Sequence, residues 1–221
     1  MKIINWNVGR PTKNRGKQIL DKLNELDGDI LVLTETNSIV TPPANYNLVS
    51  TKFLPTNFDG VIYADGENRT SIWTKFPVAK AYKTFDDVTS VCADISTPFG
   101  LLTIYATIIG VFGGKGQRFQ DDLQGQLQDF DNLFSNKQVC LIGDYNVTFT
   151  GFVYPSYLAR QTLNSVFEKF VLTNLTSSIS DSVDHIAISN DFIKSKKIKL
   201  DSWNLDKSLS DHIGVSITLT D

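Results

Sequence analysis

The chain has 221 residues, with 21 basic and 24 acidic side chains and a net charge of −3. That length supports a full hydrophobic core in one domain. The charge balance excludes a global polycation that binds nucleic acid by charge alone, so any polyanion binding must come from a local patch or a metal ion.

In chain order, Lys2–Asn7 alternates and is rich in isoleucine, which predicts a strand. Ile19, Leu20, Leu23 and Leu26 recur at helical spacing and predict an amphipathic helix over Gly16–Leu26. Ile30–Thr34 reads as a buried strand that stops at Glu35, and Ser38–Asn45 as a loop. Short strands follow at Leu48–Ser50, Gly60–Tyr63, Ser71–Thr74, Ala79–Thr84 and Thr89–Ser96, punctuated by Gly, Pro, Asn and Asp. Gly100–Thr107 is a further strand, the segment Gly110–Gly116 a glycine-rich loop, and Gln117–Phe134 a helix. Val139–Gly143 is an apolar strand; Ser156 caps a helix running to Phe170. The last strands are Val183–Ser189, Ile198–Trp203 and Ile213–Leu219. No linker or low-complexity segment interrupts them, so a single domain over 1–221 is expected. Many strands with three scattered helices imply two packed sheets carrying helices on their outer faces.

Met1-Lys2-Ile3-Ile4 runs straight into a strand, so no signal peptide is expected, and no run approaches the roughly 20 apolar residues that span a membrane. The only cysteines, Cys92 and Cys140, sit in apolar runs without metal-ligand spacing. They read as small buried hydrophobes of a reducing compartment, and a cytoplasmic monomer without an obligate protein partner is expected.

Polar groups gather at strand ends. Asn7 and Glu35 terminate two strands; Asp144 and Asn146 follow a third, one residue apart, so that an extended chain aims both to one side. Asp184 opens another strand, and Ser210-Asp211-His212 precedes the last. Hard oxygen donors suit Mg²⁺, with Mn²⁺ or Ca²⁺ as alternatives. A spare carboxylate and an imidazole add the means to activate water and steady a phosphoryl oxygen.

These stretches carry a family resemblance. Ile4-Asn5-Trp6-Asn7-Val8, Ile30-Leu31-Val32-Leu33-Thr34-Glu35-Thr36, Ile142-Gly143-Asp144-Tyr145-Asn146, Val183-Asp184-His185-Ile186 and Leu209-Ser210-Asp211-His212 resemble, in order, the motifs of the endonuclease/exonuclease/phosphatase superfamily. The resemblance implies an α/β (α+β) fold, a four-layer αββα sandwich of two packed mixed β-sheets. It implies Glu35 as principal metal ligand, with Asp211 and Asn7 completing or bracing that site, and Mg²⁺ (Mn²⁺ as alternative) as cofactor. Asp144 is implied as the base, Asn146 as the group that holds phosphate or water, and His212 paired with Asp184 as the phosphate contact. Many members carry His or Tyr at the end of the strand before the glycine loop; here Thr107 falls there, a short neutral donor.

The rim predicted from strand direction carries Arg10, Lys13, Arg15, Lys17, Lys115 and Arg118, with the aromatics Phe112, Tyr145, Phe149, Phe152, Tyr154 and Tyr157. Cations plus stacking surfaces suit a nucleic-acid substrate. Lys194, Lys196, Lys197 and Lys199 fall at the opposite end and read as a solvated edge. His185 follows Asp184 directly, faces the other way and reads as structural. Gly113-Gly114-Lys115-Gly116 lacks the Lys-Ser/Thr of a phosphate-binding P-loop. The sequence therefore favours a metal-dependent phosphodiesterase on nucleic acid, DNA ahead of RNA. The alternatives are a phosphatase or phosphodiesterase on a lipid, inositol or other small phosphoester, and, more remotely, an inactive binding module.

Overall fold

The computed structural model describes residues 1–58, 60–110 and 115–221. One six-stranded mixed sheet has the order β13 (Lys197–Trp203), β14 (Gly214–Thr220), β1 (Lys2–Asn7), β2 (Ile30–Asn37), β6 (Glu67–Thr74), β3 (Asn47–Ser50). A second has the order β11 (Leu172–Asn174), β12 (Asp184–Ser189), β10 (Val139–Asp144), β9 (Gly100–Ile108), β8 (Ser90–Thr97), β7 (Val78–Tyr82). A small hairpin, β4 (Asn57–Phe58) and β5 (Val61–Ile62), stands apart from both. The helices are α1 (Lys13–Leu26), α2 (Gln117–Leu133), α3 (Tyr157–Lys169) and the single turn α4 (Asn190–Ile193).

Side-chain alternation builds the layers. In β1, Ile3 joins the core between the sheets, with Val32, Ile104, Ile142, Ile186 and Val215. Ile4 and Trp6 face outward and pack with Ile19 and Leu23 of α1. On the other side, Tyr105, Leu141 and Ala187 of the second sheet pack under Phe119, Phe130, Leu163 and Phe167 of α2 and α3. The central strands are thus largely apolar on both faces because each face meets a different layer, whereas the edge strands β3, β7 and β13 are mostly exposed. This is the expected αββα sandwich. Among the described residues no helix is long and apolar enough to cross a membrane. Both cysteines are free and buried, and burial pushes both thiols well up.

The sheets are also tied by polar contacts. Asn5 Nδ2, buried between them, donates to the Gly143 carbonyl at 2.9 Å and the His185 carbonyl at 3.2 Å. Gly143 itself has φ 142°, and a Cβ there would lie 1.9 Å from the Thr107 carbonyl oxygen. Only glycine lets β10 approach β9 this closely just before its functional end.

Most predicted elements appear within a few residues of their expected bounds. Three differences matter. β6 begins at Glu67, four residues before the predicted Ser71, because Glu67, Asn68, Arg69 and Thr70 are polar yet buried. α1 starts at Lys13, since the polar first turn Lys13-Asn14-Arg15 hides its helical phase. β11 and the hairpin strands are too short to show a period.

Candidate active site

Alternation that leads β1 from Ile3 through Asn5 to Asn7 also leads β10 from Ile142 to Asp144, so these last residues meet between the sheets. Asn7 Nδ2 donates to Asp144 Oδ2 at 3.0 Å, while Asn7 Oδ1 accepts from Gly9 N at 2.9 Å. One lone pair of the Asn7 oxygen is therefore engaged, and its amide nitrogen ties β1 to Asp144.

Glu35 needs a turn of the backbone. Leu31 and Leu33 belong to the outer core, so alternation alone sends Glu35 outward. Its φ of 50° breaks the alternation; the β2–β6 pairing passes from Thr34–Thr70 to Thr36–Asn68, and the Glu35 carbonyl accepts from Arg10 N at 2.8 Å. A left-handed conformation costs a non-glycine residue about 1–2 kcal/mol, and here it coincides with a carboxylate placed in the cleft. Asn146 is also left-handed, with φ 50°. Its approach to Asp144 thus comes from a turn, not from the extended chain expected. Its N–H donates to Asp144 Oδ1 at 2.9 Å, and its Nδ2 donates to the carbonyls of Ile109 at 3.0 Å and Gly110 at 2.9 Å. Its Oδ1 is the group left for a ligand.

The loop carrying Asp211 and His212 is pinned from two sides. Ser210 Oγ donates to the Asn7 carbonyl at 2.7 Å, and Asn204 Nδ2 donates to the carbonyls of Ser210 and His212, each at 2.7 Å. Register places Asp184 opposite Asp144, and His212 Nδ1 meets Asp184 Oδ2 at 2.7 Å.

Glu35, Asp144, Asn146, Asp211 and His212 line one cleft of about 360 Å³, together with Arg10, Leu54, Tyr63, Glu67, Asn68, Arg69 and Ile108. Burial lifts the Asp144 carboxyl to about 7, aided by Asp184 and opposed by His212 and by the donors Asn146 and Asn7. Burial lowers the His212 imidazole, but Asp184 and Asp144 outweigh it and hold it at about 10, so it is protonated at neutral pH. Glu35 is raised chiefly by burial and further by Asp211; His212, an Asn7 hydrogen bond and Arg10 oppose the rise.

Glu35, half-buried, and Asp211, exposed, are two neighbouring carboxylates whose oxygens suit a hard divalent cation, and among the described residues neither makes an ion pair with lysine or arginine. The ligating atoms of Asp144, Asp184 and His212 also lie within 4.8 Å of one another, with the chemistry to hold a metal. Both Asp144 oxygens accept, from Asn7 Nδ2 and Asn146 N–H, and Asp184 Oδ2 meets His212 Nδ1, while Asp184 Oδ1 is buried without a hydrogen-bond partner; Glu35 and Asp211 are the carboxylates that could hold a cation without breaking these bonds.

Other sequence expectations land elsewhere. Thr107 is fully buried, shares the outer-facing parity of Tyr105, and its hydroxyl donates to the Ile108 carbonyl at 3.2 Å. Ile108, paired with Asp144 in register, takes the place on the cleft wall. Tyr145 alternates against Asp144 into the outer core, and its hydroxyl donates to the Leu141 carbonyl at 2.6 Å. Arg10 reaches the cleft but pairs with Glu67 at 2.8 Å. Arg15 donates to the carbonyls of Gly9 and Arg10, and Arg118 pairs with Asp122 at 2.9 Å and Asp86 at 3.2 Å, so both serve the fold. Lys13 and Lys115 are exposed away from the cleft wall, with Lys115 5.9 Å from the Tyr154 ring centroid. Phe149 packs on Phe167 and His185, whereas Phe152 and Tyr157 are exposed. Phe112 lies outside the described residues. His185 is buried between Val147 O and Thr176 Oγ1, and burial lowers it to about 4. The lysines at the opposite end pair locally, Lys194 with Asp191, Lys196 with Asp221 and Lys199 with Asp201.

Sequence reasoning missed the rest of the cleft lining: Leu54, Tyr63, Glu67, Asn68, Arg69 and Ile108. No hydrophobic period marks a polar strand segment. Only the parity of β9, with Ile104 inward, could have singled out Ile108 over Thr107.

The chain matches the model of the endonuclease/exonuclease/phosphatase family over residues 4–212. Among solved structures it is similar to the 3' phosphatase NExo from Neisseria bound to product DNA hairpin, with a TM-score of 0.73, 15% identity and 100% of both chains covered. It is also similar to an AP endonuclease from Archaeoglobus fulgidus, with a TM-score of 0.69, 15% identity and 100% of both chains. For humanized D. rerio TDP2 the TM-score is 0.69, with 16% identity over 100% of this chain and 99% of that one. No curated protein sequence matches.

Proposed function

Because this chain belongs to the endonuclease/exonuclease/phosphatase family, whose members hydrolyse phosphoesters, we propose that it is a Mg²⁺-dependent phosphodiesterase acting on nucleic acid. The observation that carries this reading is the convergence of Glu35, Asp144, Asn146, Asp211 and His212 on one cleft. Glu35 and Asp211 would hold the cation, which would supply positive charge against that of the phosphoryl group. Asp144, a buried carboxylate near neutral pKa, takes the proton of the attacking water. Asn146 orients that water through Oδ1, since both amide hydrogens are held by backbone carbonyls. His212, kept protonated by Asp184, faces the phosphoryl oxygens and offsets charge as it develops. The NExo and AP endonuclease relatives support DNA ahead of RNA as substrate.

One observation favours a small phosphoester instead. Arg10, Arg15 and Arg118 are engaged within the fold, which thins the basic rim expected for long nucleic acid. A panel of plasmid, single-stranded DNA, abasic duplex, RNA and an inositol phosphate, run with Mg²⁺ and with chelator, separates the two. Turnover of a DNA substrate that chelator stops and Asp144→Asn abolishes is expected. Wild-type turnover by Asp144→Asn sinks the mechanism.

A further inference from the structure

The chain that leaves the cleft after Asn146 is pinned into a fixed loop. Thr148 N donates to the Tyr154 carbonyl at 2.9 Å, and Tyr154 N donates back to Thr148 Oγ1 at 3.0 Å. Thr148 Oγ1 in turn donates to the Phe152 carbonyl. Arg160 of α3 closes the network. Its Nε donates to the Thr148 carbonyl at 2.6 Å, and its Nη2 donates to Thr148 Oγ1 at 3.0 Å and to the Phe152 carbonyl at 3.4 Å. Phe149 anchors the same loop on Phe167 and His185.

On this framework Phe152 is 79% exposed, and Tyr157, in the first turn of α3, is 71% exposed. Tyr157 and Arg160 lie three residues apart and share a helix face, so Tyr157 stands on the face that Arg160 turns toward the Phe152 loop. Thr148 follows Asn146 by two residues, a reach of roughly 7 Å at most. Nucleotides flanking a phosphate held at Asn146 are therefore within reach of this corner. Lys115 is exposed with its Nζ 5.9 Å from the Tyr154 ring centroid, which sets a cation beside the loop. Elsewhere on the rim Arg10, Arg15 and Arg118 serve the fold, so charge is scarce and the corner offers π-faces instead. Bases inside a duplex have their faces covered by their neighbours, whereas an unpaired base is free to stack on an aromatic ring.

We propose that Phe152 and Tyr157 form a stacking platform for unpaired bases next to the scissile phosphate, with Lys115 on a backbone phosphate, so that single-stranded nucleic acid is the preferred substrate. The assignment rests on the phosphoesterase reading above and names its substrate class.

The test uses the full chain and the variants Phe152→Ala, Tyr157→Ala, the two combined, Phe152→Trp and Lys115→Ala. Binding to a single-stranded DNA oligonucleotide carrying a fluorescent adenine analogue is read in chelator over a salt series, against a blunt duplex of the same sequence. KM for the single strand is read with Mg²⁺, and melting temperatures confirm folding. Loss of one stacked ring weakens single-strand binding about 5- to 150-fold, with loss of the quenching that stacking gives the analogue. KM rises in step, the combined variant loses more, and Phe152→Trp retains binding. Lys115→Ala reduces the slope of log affinity against log salt by about 0.7. Unchanged single-strand binding by the folded combined variant overturns the proposal. An equal loss for the blunt duplex overturns it as well, because the rings then do not read unpaired bases. A wild type that sediments as a dimer and becomes monomeric in the combined variant assigns the rings to a second copy and overturns it. Wild type that binds single strands through Phe152 yet hydrolyses nothing in the panel refutes the phosphoesterase reading and leaves the platform standing. An active wild type whose KM for single strands ignores both rings refutes the platform alone.

Discussion

Truncating Asn7 is expected to move the pH at which catalysis switches on. Asn7 Nδ2 donates to the ionised form of Asp144 at 3.0 Å, and Asn7 also holds Glu35 down by a hydrogen bond. A donor to the charged form lowers a carboxyl pKa, so Asn7→Ala must raise that of Asp144 above its value of about 7. A hydrogen bond to a charged acceptor contributes about 1.5–3 kcal/mol, and one pH unit corresponds to about 1.36 kcal/mol. The acidic limb of kcat/KM should therefore move up by about one to two pH units. Activity at neutral pH falls about tenfold or more and partly recovers in alkali. The alkaline limb stays where His212 loses its proton, near 10, so the active window narrows from the acid side alone. The assay is a pH–rate profile at saturating Mg²⁺, run well below the melting temperature of each protein. That control is needed because Gly9 N also loses its partner, at about 1–3 kcal/mol. An Asn7→Ala enzyme whose acidic limb coincides with that of wild type would falsify the assignment of Asp144 as the base braced by Asn7.

Three further outcomes follow from the same geometry. Asp184→Asn removes the charge 2.7 Å from His212 Nδ1, so the His212 pKa falls from about 10 and the alkaline limb moves to lower pH; an NMR titration of the imidazole that shows no drop contradicts the pairing. Gly143→Ala places a Cβ 1.9 Å from the Thr107 carbonyl oxygen at φ 142°, and a loss of about 3 kcal/mol or more is expected in urea unfolding, against a site that tolerates alanine within the error of the measurement. Asp144 is raised in the folded state, so its contribution to stability is full below about 3.8 and is lost as pH rises through about 7. Glu35 acts in the same direction. Metal-free protein should accordingly lose stability across that interval. Mg²⁺ should restore it by about 2.7 kcal/mol at one hundred times its Kd, and Glu35→Gln should abolish the restoration in thermal melts.

The sequence by itself determined the layers and one half of the site. Period-two strands with apolar residues on both faces can be satisfied only between two cores, and this yields the αββα sandwich. Polar residues at the ends of such strands have few places to go, so Asn7, Asp144, Asp184 and His212 were legible together. The same period carried more than was taken from it: Tyr145, between Asp144 and Asn146, is compelled to the outer core, and Ile104 inward makes Ile108, not Thr107, the residue on the cleft wall. Tertiary structure alone decided the rest. Positive φ at Glu35 and Asn146 reverses what alternation dictates, and no local signal announces it. The basic rim dissolved because Arg15 and Arg118 found backbone and carboxylate partners within the fold, and Arg10 found Glu67. The lining from Tyr63 to Arg69 is polar and aromatic, buried, and paired across space with groups distant in sequence, as Glu67 is with Arg10. Pairs of that kind exist only once the strands have met.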